Sequence, residues 1–156
     1  MKMKNNLGIY GSYVIKVFDS ITGVLISQSE PIKNRVVNSS GYGRNIVIRQ
    51  LAGDATYPIE IDSAAIGTGS TAPVDGNIGL GASVLAGILV ANVVVSSDSV
   101  VFTFFINTND LTNGTYNEFG LFCNGQLFAR SIISPALVKG TNQNVVVDYT
   151  ITLSSI

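Results

Sequence analysis

Residues 117–133 read NEFGLFCNGQLFARSII, and this stretch predicts a β-hairpin. The dipeptide Asn124-Gly125 favours a type I′ turn, because both central residues of that turn adopt positive φ angles. The flanking residues are mostly apolar or aromatic, as is typical of strands. We therefore expect two antiparallel strands that meet at this dipeptide.

Strand signals also dominate the rest of the chain, where β-branched and aromatic residues alternate with turn residues. The further predicted strands are Ser12–Asp19, 23–30, Pro58–Gly67, 88–97, 99–108 and Gln143–Leu153. The first two predict a hairpin, as do the two separated at Ser97 and Asp98. The nearly unbroken apolar character of this second hairpin indicates burial on both sides or at an interface. The last strand alternates, with five apolar residues on one face: Val145, Val147, Tyr149, Ile151 and Leu153.

One block, residues 38–54, favours a helix. Ile46, Val47, Gln50 and Leu51 would share a face, Ser39 or Ser40 would cap the start, and Gly53 would close the end. A loop is expected around Pro135, in residues 134–141. Together these signals predict an all-β fold, a mainly antiparallel β-sandwich or jelly-roll-like domain with one short α-helix. We expect this single domain to span residues 12–156, after a flexible N-terminal arm of residues 1–11.

The surface is expected to be polar without being strongly charged. Charged residues make up 12% of the chain, about half the usual ~25%, and the net charge is -1. Seven basic and two acidic residues lie in residues 1–49, against two basic and eight acidic residues in the remainder. Because a fold can interleave the two parts of a sequence, we expect these charges to be scattered over a mixed surface. The alternatives are copies that stack with complementary charge, or a basic face that binds an acidic partner. The basic residues form no cluster, so no nucleic-acid partner is expected.

The residue types present exclude most catalytic chemistry. Without histidine there is no Ser-His-Asp triad, no Cys-His pair and no ordinary zinc site. Cys123 is the single cysteine, so we expect a buried structural thiol and no internal disulfide. The carboxylate pairs Glu60 with Asp62 and Asp110 with Glu118 could serve acid-base work or calcium, but a solvated strand face is favoured for Glu60 and Asp62. We expect no enzyme activity, no metal and no cofactor.

A glycine-rich stretch, residues 64–81, reads AAIGTGSTAPVDGNIGLG. Gly67-Thr68-Gly69 could begin a phosphate-binding loop, but no Lys or Arg lies between Gln50 and Ala129. The turn residues from Pro73 onward also argue against a helix that starts within the loop. We expect a structural loop with positive φ angles.

Glu118 interrupts an apolar strand, which predicts a buried carboxylate with a partner. Arg130 lies on the neighbouring strand of the hairpin and could form a structural or interface ion pair with it. Centring the turn on Asn124-Gly125 places Phe119 opposite Arg130 and Glu118 one step away. The hairpin aromatics are expected in the core, with sugar stacking as the alternative use: Tyr116, Phe119, Phe122 and Phe128.

Nothing in the sequence predicts a membrane protein. The first residues carry lysines but no apolar run behind them, so no secretory signal is expected. The longest apolar stretch, residues 84–95, is too short to span a bilayer and contains Gly87 and Asn92. A soluble protein that folds in a cytoplasm is expected.

Two stretches together resemble a pattern in small structural proteins of tailed bacteriophages. Residues 41–81 read GYGRNIVIRQLAGDATYPIEIDSAAIGTGSTAPVDGNIGLG, which is similar to a helix ending in Leu-Ala-Gly, a strand, and a Gly-Thr-Gly loop with Ala-Pro and a following Leu. Residues 117–140 resemble the Glu-(Ile/Phe)-Gly-Leu-Phe segment, hairpin and Ala-Arg of the same proteins and of the N-terminal attachment modules of phage tail fibres. The resemblance covers roughly residues 34–153.

The resemblance implies a virion component, assembled in the host bacterial cytoplasm, that binds other virion proteins and performs no chemistry. An attachment module would continue into a fibre shaft, whereas this sequence stops at Ile156. We therefore expect an accessory subunit on the capsid or tail: a decoration protein, a head-fibre base, a collar or a tail-surface protein. The alternative is a carbohydrate-binding adhesion module of the virion, with a host glycan as partner.

Expected partners are capsid or tail proteins and further copies of the chain, with no membrane involved. The candidate interface has two parts. Lys2 and Lys4 would anchor the N-terminal arm when it docks. The glycine-rich stretch, through Gly67, Thr68, Gly69 and Pro73, would face a neighbouring subunit.

Overall fold

The computed structural model describes residues 7–155, which form ten strands and one helix. Lys2 and Lys4 of the predicted anchor lie outside the described residues. In chain order the elements are β1 (Leu7–Asp19), β2 (Leu25–Gln28), β3 (Ile32–Lys33), β4 (Arg35–Val36), α1 (Arg44–Leu51), β5 (Ile61–Gly67), β6 (Ser83–Val95), β7 (Ser99–Ile106), β8 (Gly114–Cys123), β9 (Gln126–Lys139) and β10 (Gln143–Ser155).

The strands form one curled antiparallel sheet in the order β2-β1-β10-β7-β6-β5-β8-β9-β4, with β3 paired to β1. This confirms the predicted all-β fold with a single short helix in the described chain. Strand β6 joins the two halves of this sheet. Its first half pairs with β5, and its second half, from Val90, pairs with β7. We call β1, β2, β3, β7 and β10 the β1 half-sheet, and β4, β5, β8 and β9 the β8 half-sheet.

The core lies between the two half-sheets, which face each other across a cluster of aromatic rings. Phe119 of β8 packs against Tyr13, Phe104 and Tyr149 of the β1 half-sheet, with ring centroids 5.4 to 6.1 Å apart. The Tyr13 hydroxyl also hydrogen-bonds to the Ser131 hydroxyl at 2.6 Å. Because side chains alternate along a strand, these contacts define the inner face of each half-sheet and leave the intervening residues on the outer face.

At two places a strand lies where an arm or a loop is predicted. Residues 7–11 are not part of an arm, because β1 begins at Leu7 and pairs with β10 along its whole length. Pro135 does not lie in a loop either, because β9 continues through it. Tyr116 of β8 pairs with Leu137 and Glu118 pairs with Ile132, so residues 133–136 of β9 lie opposite the single residue Asn117 and Pro135 lies in this enlarged bulge. A proline is tolerated there because no ladder hydrogen bond requires its missing N–H group.

The helix forms where it is predicted, but its start and its buried face differ. Gly43 occupies the N-cap position with no side-chain cap, so neither Ser39 nor Ser40 caps the helix. Backbone hydrogen bonds position this end instead, since the Gly43 N–H donates to the Leu127 carbonyl. Ile46 is fully buried, whereas Leu51 is 80% exposed. No helix within residues 7–155 is long and apolar enough to cross a membrane.

The β6–β7 hairpin turns at the predicted Ser97 and Asp98, but burial on both sides is wrong. Val93, Val94 and Val95 of β6 are each about half exposed or more in the isolated chain. Pairing of β6 with β5 ends at Leu89, and the later residues of β6 pair only with β7. These later residues therefore extend beyond the β8 half-sheet, which leaves them exposed.

Candidate functional site

The glycine-rich loop, residues 68–82, connects β5 to β6 and packs on the outer face of β8 and β9. Phe119 and Ser131 point inward, so Glu118 and Arg130 lie on the outer face of the same strands. Both side chains are nevertheless buried, Glu118 at 0% and Arg130 at 2% exposure. The loop is the element that covers them.

Glu118 binds both ends of this loop through backbone N–H groups. Its Oε1 atom accepts hydrogen bonds from the N–H groups of Gly69 at 3.0 Å and Ala82 at 2.6 Å. Its Oε2 atom accepts one from the N–H group of Gly81 at 2.9 Å. One carboxylate therefore closes the loop by holding Gly69, near its start, close to Gly81 and Ala82 at its end.

Arg130 completes the arrangement as the ion-pair partner of Glu118. Its Nε atom donates to Glu118 Oε2 at 2.9 Å, and its Nη2 atom lies 2.8 Å from the same oxygen as an ion-pair contact. Its Nη1 atom donates to Asn77 Oδ1 at 3.1 Å and its Nη2 atom donates to the Thr71 carbonyl at 2.8 Å, so both bind the middle of the loop. Within residues 7–155 no buried side-chain nitrogen or oxygen is left without a hydrogen-bond partner. The buried charges are thus both paired and hydrogen-bonded, as burial of an ion pair requires.

The predicted partners are therefore in contact, but the predicted register is wrong by one residue. Gly120, and not Phe119, lies opposite Arg130, and Glu118 lies opposite Ile132. A register shift between Leu121 and Phe122 changes the pairing close to the turn. The result places Glu118 and Arg130 on the same face as diagonal neighbours, within reach of their long side chains.

The glycines of this site provide space, and the predicted positive φ angles are wrong. None of the glycines from Gly67 to Gly81 has a positive φ angle. A Cβ atom on Gly69 would overlap the Glu118 carboxylate, and one on Gly67 would overlap the Ala82 carbonyl. On the strand below, a Cβ atom on Gly120 would lie 2.8 Å from a methyl group of Leu80. Glycine is needed where loop and sheet approach each other most closely.

The other two candidate interface residues of the loop differ in exposure. Thr68 is exposed at the start of the loop, where its N–H group donates to the Ala82 carbonyl at 2.9 Å. Pro73 is partly buried. Next to it, Val74 and Ile78 are 54% and 61% exposed, so the apolar surface of the loop lies mainly on these two residues.

The electrostatic balance at Glu118 favours the charged form. Burial by itself raises the pKa of this carboxyl group. The hydrogen bonds from Ala82, Gly81, Arg130 and Gly69 outweigh it, so the pKa of Glu118 lies below its ordinary value of 4.5. The carboxylate is therefore ionised at neutral pH, as its ion pair with Arg130 requires.

Surface ion pairs join the basic first part of the chain to the acidic remainder. Arg35 and Arg44 both contact Asp75 of the glycine-rich loop, at 2.9 and 3.0 Å. Lys16 pairs with Asp148 across β1 and β10 at 2.8 Å. The fold thus intermingles the two parts, which agrees with a mixed surface and gives no support to oppositely charged faces. The contacts with Asp75 also attach the loop tip to β4 and to the start of α1.

Cys123 and Asp62, the other candidate reactive groups near the hairpin, both have structural roles. Burial, with a smaller contribution from Asp62, raises the pKa of the Cys123 thiol to about 12, as expected of a buried structural cysteine. Asp62 accepts a hydrogen bond from the N–H group of Asn124 and so supports the hairpin turn. Among the described residues, no group of three or more Cys, Asp or Glu side chains could hold a metal ion.

Three of the four hairpin aromatics lie in the core, which confirms the favoured interpretation for them. Tyr116, Phe119 and Phe128 are at most 4% exposed, and Phe122 is partly buried. The Tyr116 hydroxyl donates to the Thr112 carbonyl at 2.7 Å. These three rings present no face on which a sugar could stack.

Comparison with known protein families, curated proteins and solved structures finds no match to this chain. Every polar atom of the Glu118 and Arg130 side chains binds either the loop or the other member of the ion pair, so the arrangement can hold a surface segment in place. The sequence analysis did not identify the backbone N–H groups of Gly81 and Ala82 as partners of Glu118. The available signal was that a buried carboxylate needs several hydrogen-bond donors, more than one arginine alone supplies.

Proposed function

We propose that this chain is a non-enzymatic structural protein of a bacteriophage virion, an accessory subunit that docks on the capsid or tail. The observation that supports the proposal most directly is the contact between the two stretches that carry the phage resemblance. The Gly-Thr-Gly loop and the Glu-Phe-Gly hairpin are about 50 residues apart in sequence, and Glu118 of the hairpin binds Gly69 of the loop. The resemblance thus corresponds to one structural unit.

A docking role agrees with how this unit is built. The side chains of Glu118 and Arg130 form hydrogen bonds within the unit, and the outer side of the loop carries the exposed apolar side chains of Val74 and Ile78. Contacts with Glu118 and Arg130, and the ion pairs of Asp75, hold the loop in one conformation. Such a loop loses little conformational entropy when it binds a partner. Preorganised apolar surface of this kind is suited to protein recognition.

The test is to locate the protein in particles. Purified virions from cells that express this gene should contain the protein at a fixed copy number relative to the major capsid protein, measured by quantitative mass spectrometry. Electron microscopy of the same particles should show matching density on the capsid or tail. Recovery of the protein only from the particle-free lysate would contradict the proposal.

A variant pair tests whether the loop is the docking surface. Ile78→Asp places a charge on the exposed loop surface and should reduce occupancy on the particle at least tenfold. Ile21→Asp is the matched control, because Ile21 is 77% exposed in the turn between β1 and β2 and lies outside the loop. Equal occupancy of the two variants would exclude the loop while leaving the virion assignment itself standing.

The predicted N-terminal anchor is tested separately. A chain that lacks residues 1–6, and with them Lys2 and Lys4, should occupy fewer positions on the particle. Undiminished occupancy would show that the anchor is not needed for docking.

A further inference from the structure

The inner face of the β1 half-sheet continues beyond the core at one end of the molecule. There the paired residues Val95, Val100 and Ile151 form one row across β6, β7 and β10. Ile9 and Leu153 form the next row, where β1 pairs with β10. We call these residues, together with Leu7 at the start of β1, the overhang.

The overhang lies on the same face as the core and becomes uncovered toward its outer edge. Ile9, Val100 and Ile151 are partly buried against the core, whereas Leu7, Val95 and Leu153 are exposed. On β10, Val147 and Tyr149 are at most 1% exposed, whereas Leu153, on the same face further along the strand, is 47% exposed. Exposure reaches 74% at Leu7 and 76% at Val95. Among the described residues, Asn34 marks where the inner face of β1 and β10 stops being covered. Its side chain packs on Gly11 and hydrogen-bonds to the Tyr149 hydroxyl.

The sequence of the overhang is typical of a face that is buried. Along β10, Ile151 and Leu153 alternate with Thr150, Thr152 and Ser154, so the apolar-inside pattern persists after the covering half-sheet ends. Single exposed apolar residues are common, but a contiguous apolar surface across four adjacent strands indicates a binding surface.

We infer that a second copy of this chain covers the overhang. The six side chains expose on the order of 400 Å² of apolar surface, and two copies packed face to face would bury about 1,000 Å² with their rims, which is the lower limit for a specific interface. The overhang residues themselves carry no charge, so they can face an identical surface without repulsion. A two-fold axis brings the same residues of both copies together and closes the assembly.

Residues 1–6, which precede Leu7, are the competing occupant. Their sequence, MKMKNN, has two lysines and two asparagines, so most of its side chains would lose hydration on an apolar face. A second copy instead offers an apolar surface of matching size. The inference does not depend on the virion proposal, because it concerns how the free protein associates.

Sedimentation equilibrium of the purified chain tests the inference, with Val95→Lys as the probe and Val94→Lys as its matched control. Val94 precedes Val95 on the same strand, points to the opposite face and is 53% exposed. The wild-type chain and Val94→Lys should both have twice the 16.4 kDa monomer mass. For Val95→Lys the dissociation constant should rise at least tenfold, with an unchanged circular dichroism spectrum.

Three outcomes would overturn the inference. The first is a wild-type chain that stays monomeric at all accessible concentrations. The second is equal weakening by the two lysine variants, which would place the interface elsewhere. The third is a monomer that binds a dye for exposed apolar surface only after residues 1–6 are deleted, which would identify that segment as the cover.

Discussion

Replacing Glu118 with Gln should destabilise the chain far more than the loss of one ordinary hydrogen bond. The carboxylate accepts three backbone N–H groups and binds Arg130 through two nitrogens. Gln has one acceptor oxygen, so its NH₂ group must face N–H donors on one side, and Arg130 is left buried without a counter-charge. Removing one partner of a buried pair costs about 3–5 kcal/mol of folding free energy.

Urea unfolding measures this cost. The chain has no tryptophan, so tyrosine fluorescence or far-ultraviolet circular dichroism serves as the probe. With a slope of about 2 kcal/mol per molar urea, a loss of 3–5 kcal/mol lowers the unfolding midpoint by about 2 M. Amide hydrogen exchange adds a local readout, because the N–H groups of Gly69, Gly81 and Ala82 should exchange faster in Glu118→Gln.

Arg35→Gln is the control for removal of an ion pair at the surface. Arg35 and Asp75 are 52% and 47% exposed, and such a pair contributes about 0–1 kcal/mol. The reasoning is refuted if Glu118→Gln has the same urea midpoint as Arg35→Gln, or if exchange at the three loop amides is unchanged. Either result would mean that the loop does not depend on the buried carboxylate.

Three further predictions concern the same molecule. The pKa of Glu118 is lower in the folded chain than its ordinary value of 4.5, so the stability that the carboxylate contributes is present above pH 4.5 and is lost as the pH falls below it. Urea midpoints measured across this range should therefore decline less steeply in Glu118→Gln than in the wild-type chain. Gly69→Ala should destabilise the chain by about 1–3 kcal/mol, because its Cβ atom overlaps the Glu118 carboxylate, whereas Gly79→Ala, which has open space, should change the melting temperature little. Cys123, with its pKa raised to about 12, should not react with a thiol reagent at pH 8 until the chain is unfolded, and rapid labelling of the native chain would contradict its burial.

Local signals predict the hairpin turns, the longer strands and the position of the helix, because these features depend on local interactions. Asn124 and Gly125 adopt φ angles of 47° and 84°, the conformation that makes their dipeptide favour a type I′ turn. An acid within an apolar strand needs a partner, and Arg130 was the basic residue available on the neighbouring strand. Gly53 has a φ angle of 78° after the helix, as expected of a glycine that closes one.

The remaining features depend on non-local contacts that the sequence does not encode in any short pattern. The shift between Leu121 and Phe122 changes which residue lies opposite Arg130, and counting from the turn cannot reveal it. The turn residues of the glycine-rich loop predict a structural loop, but its position over Glu118 follows from the order of β5, β8 and β9 in the sheet. For the same reason, the sequence does not predict that Gly69 leaves space for the Glu118 carboxylate.

The shared strand β6 couples the stability of the two half-sheets. Its first half completes the hydrogen bonding of β5 and its second half that of β7, so separating either half-sheet breaks pairing along a strand that the other also needs. Unfolding is therefore expected to occur in one cooperative transition rather than half-sheet by half-sheet. This coupling also suppresses partly opened forms, whose newly exposed strand edges would pair with other chains and aggregate.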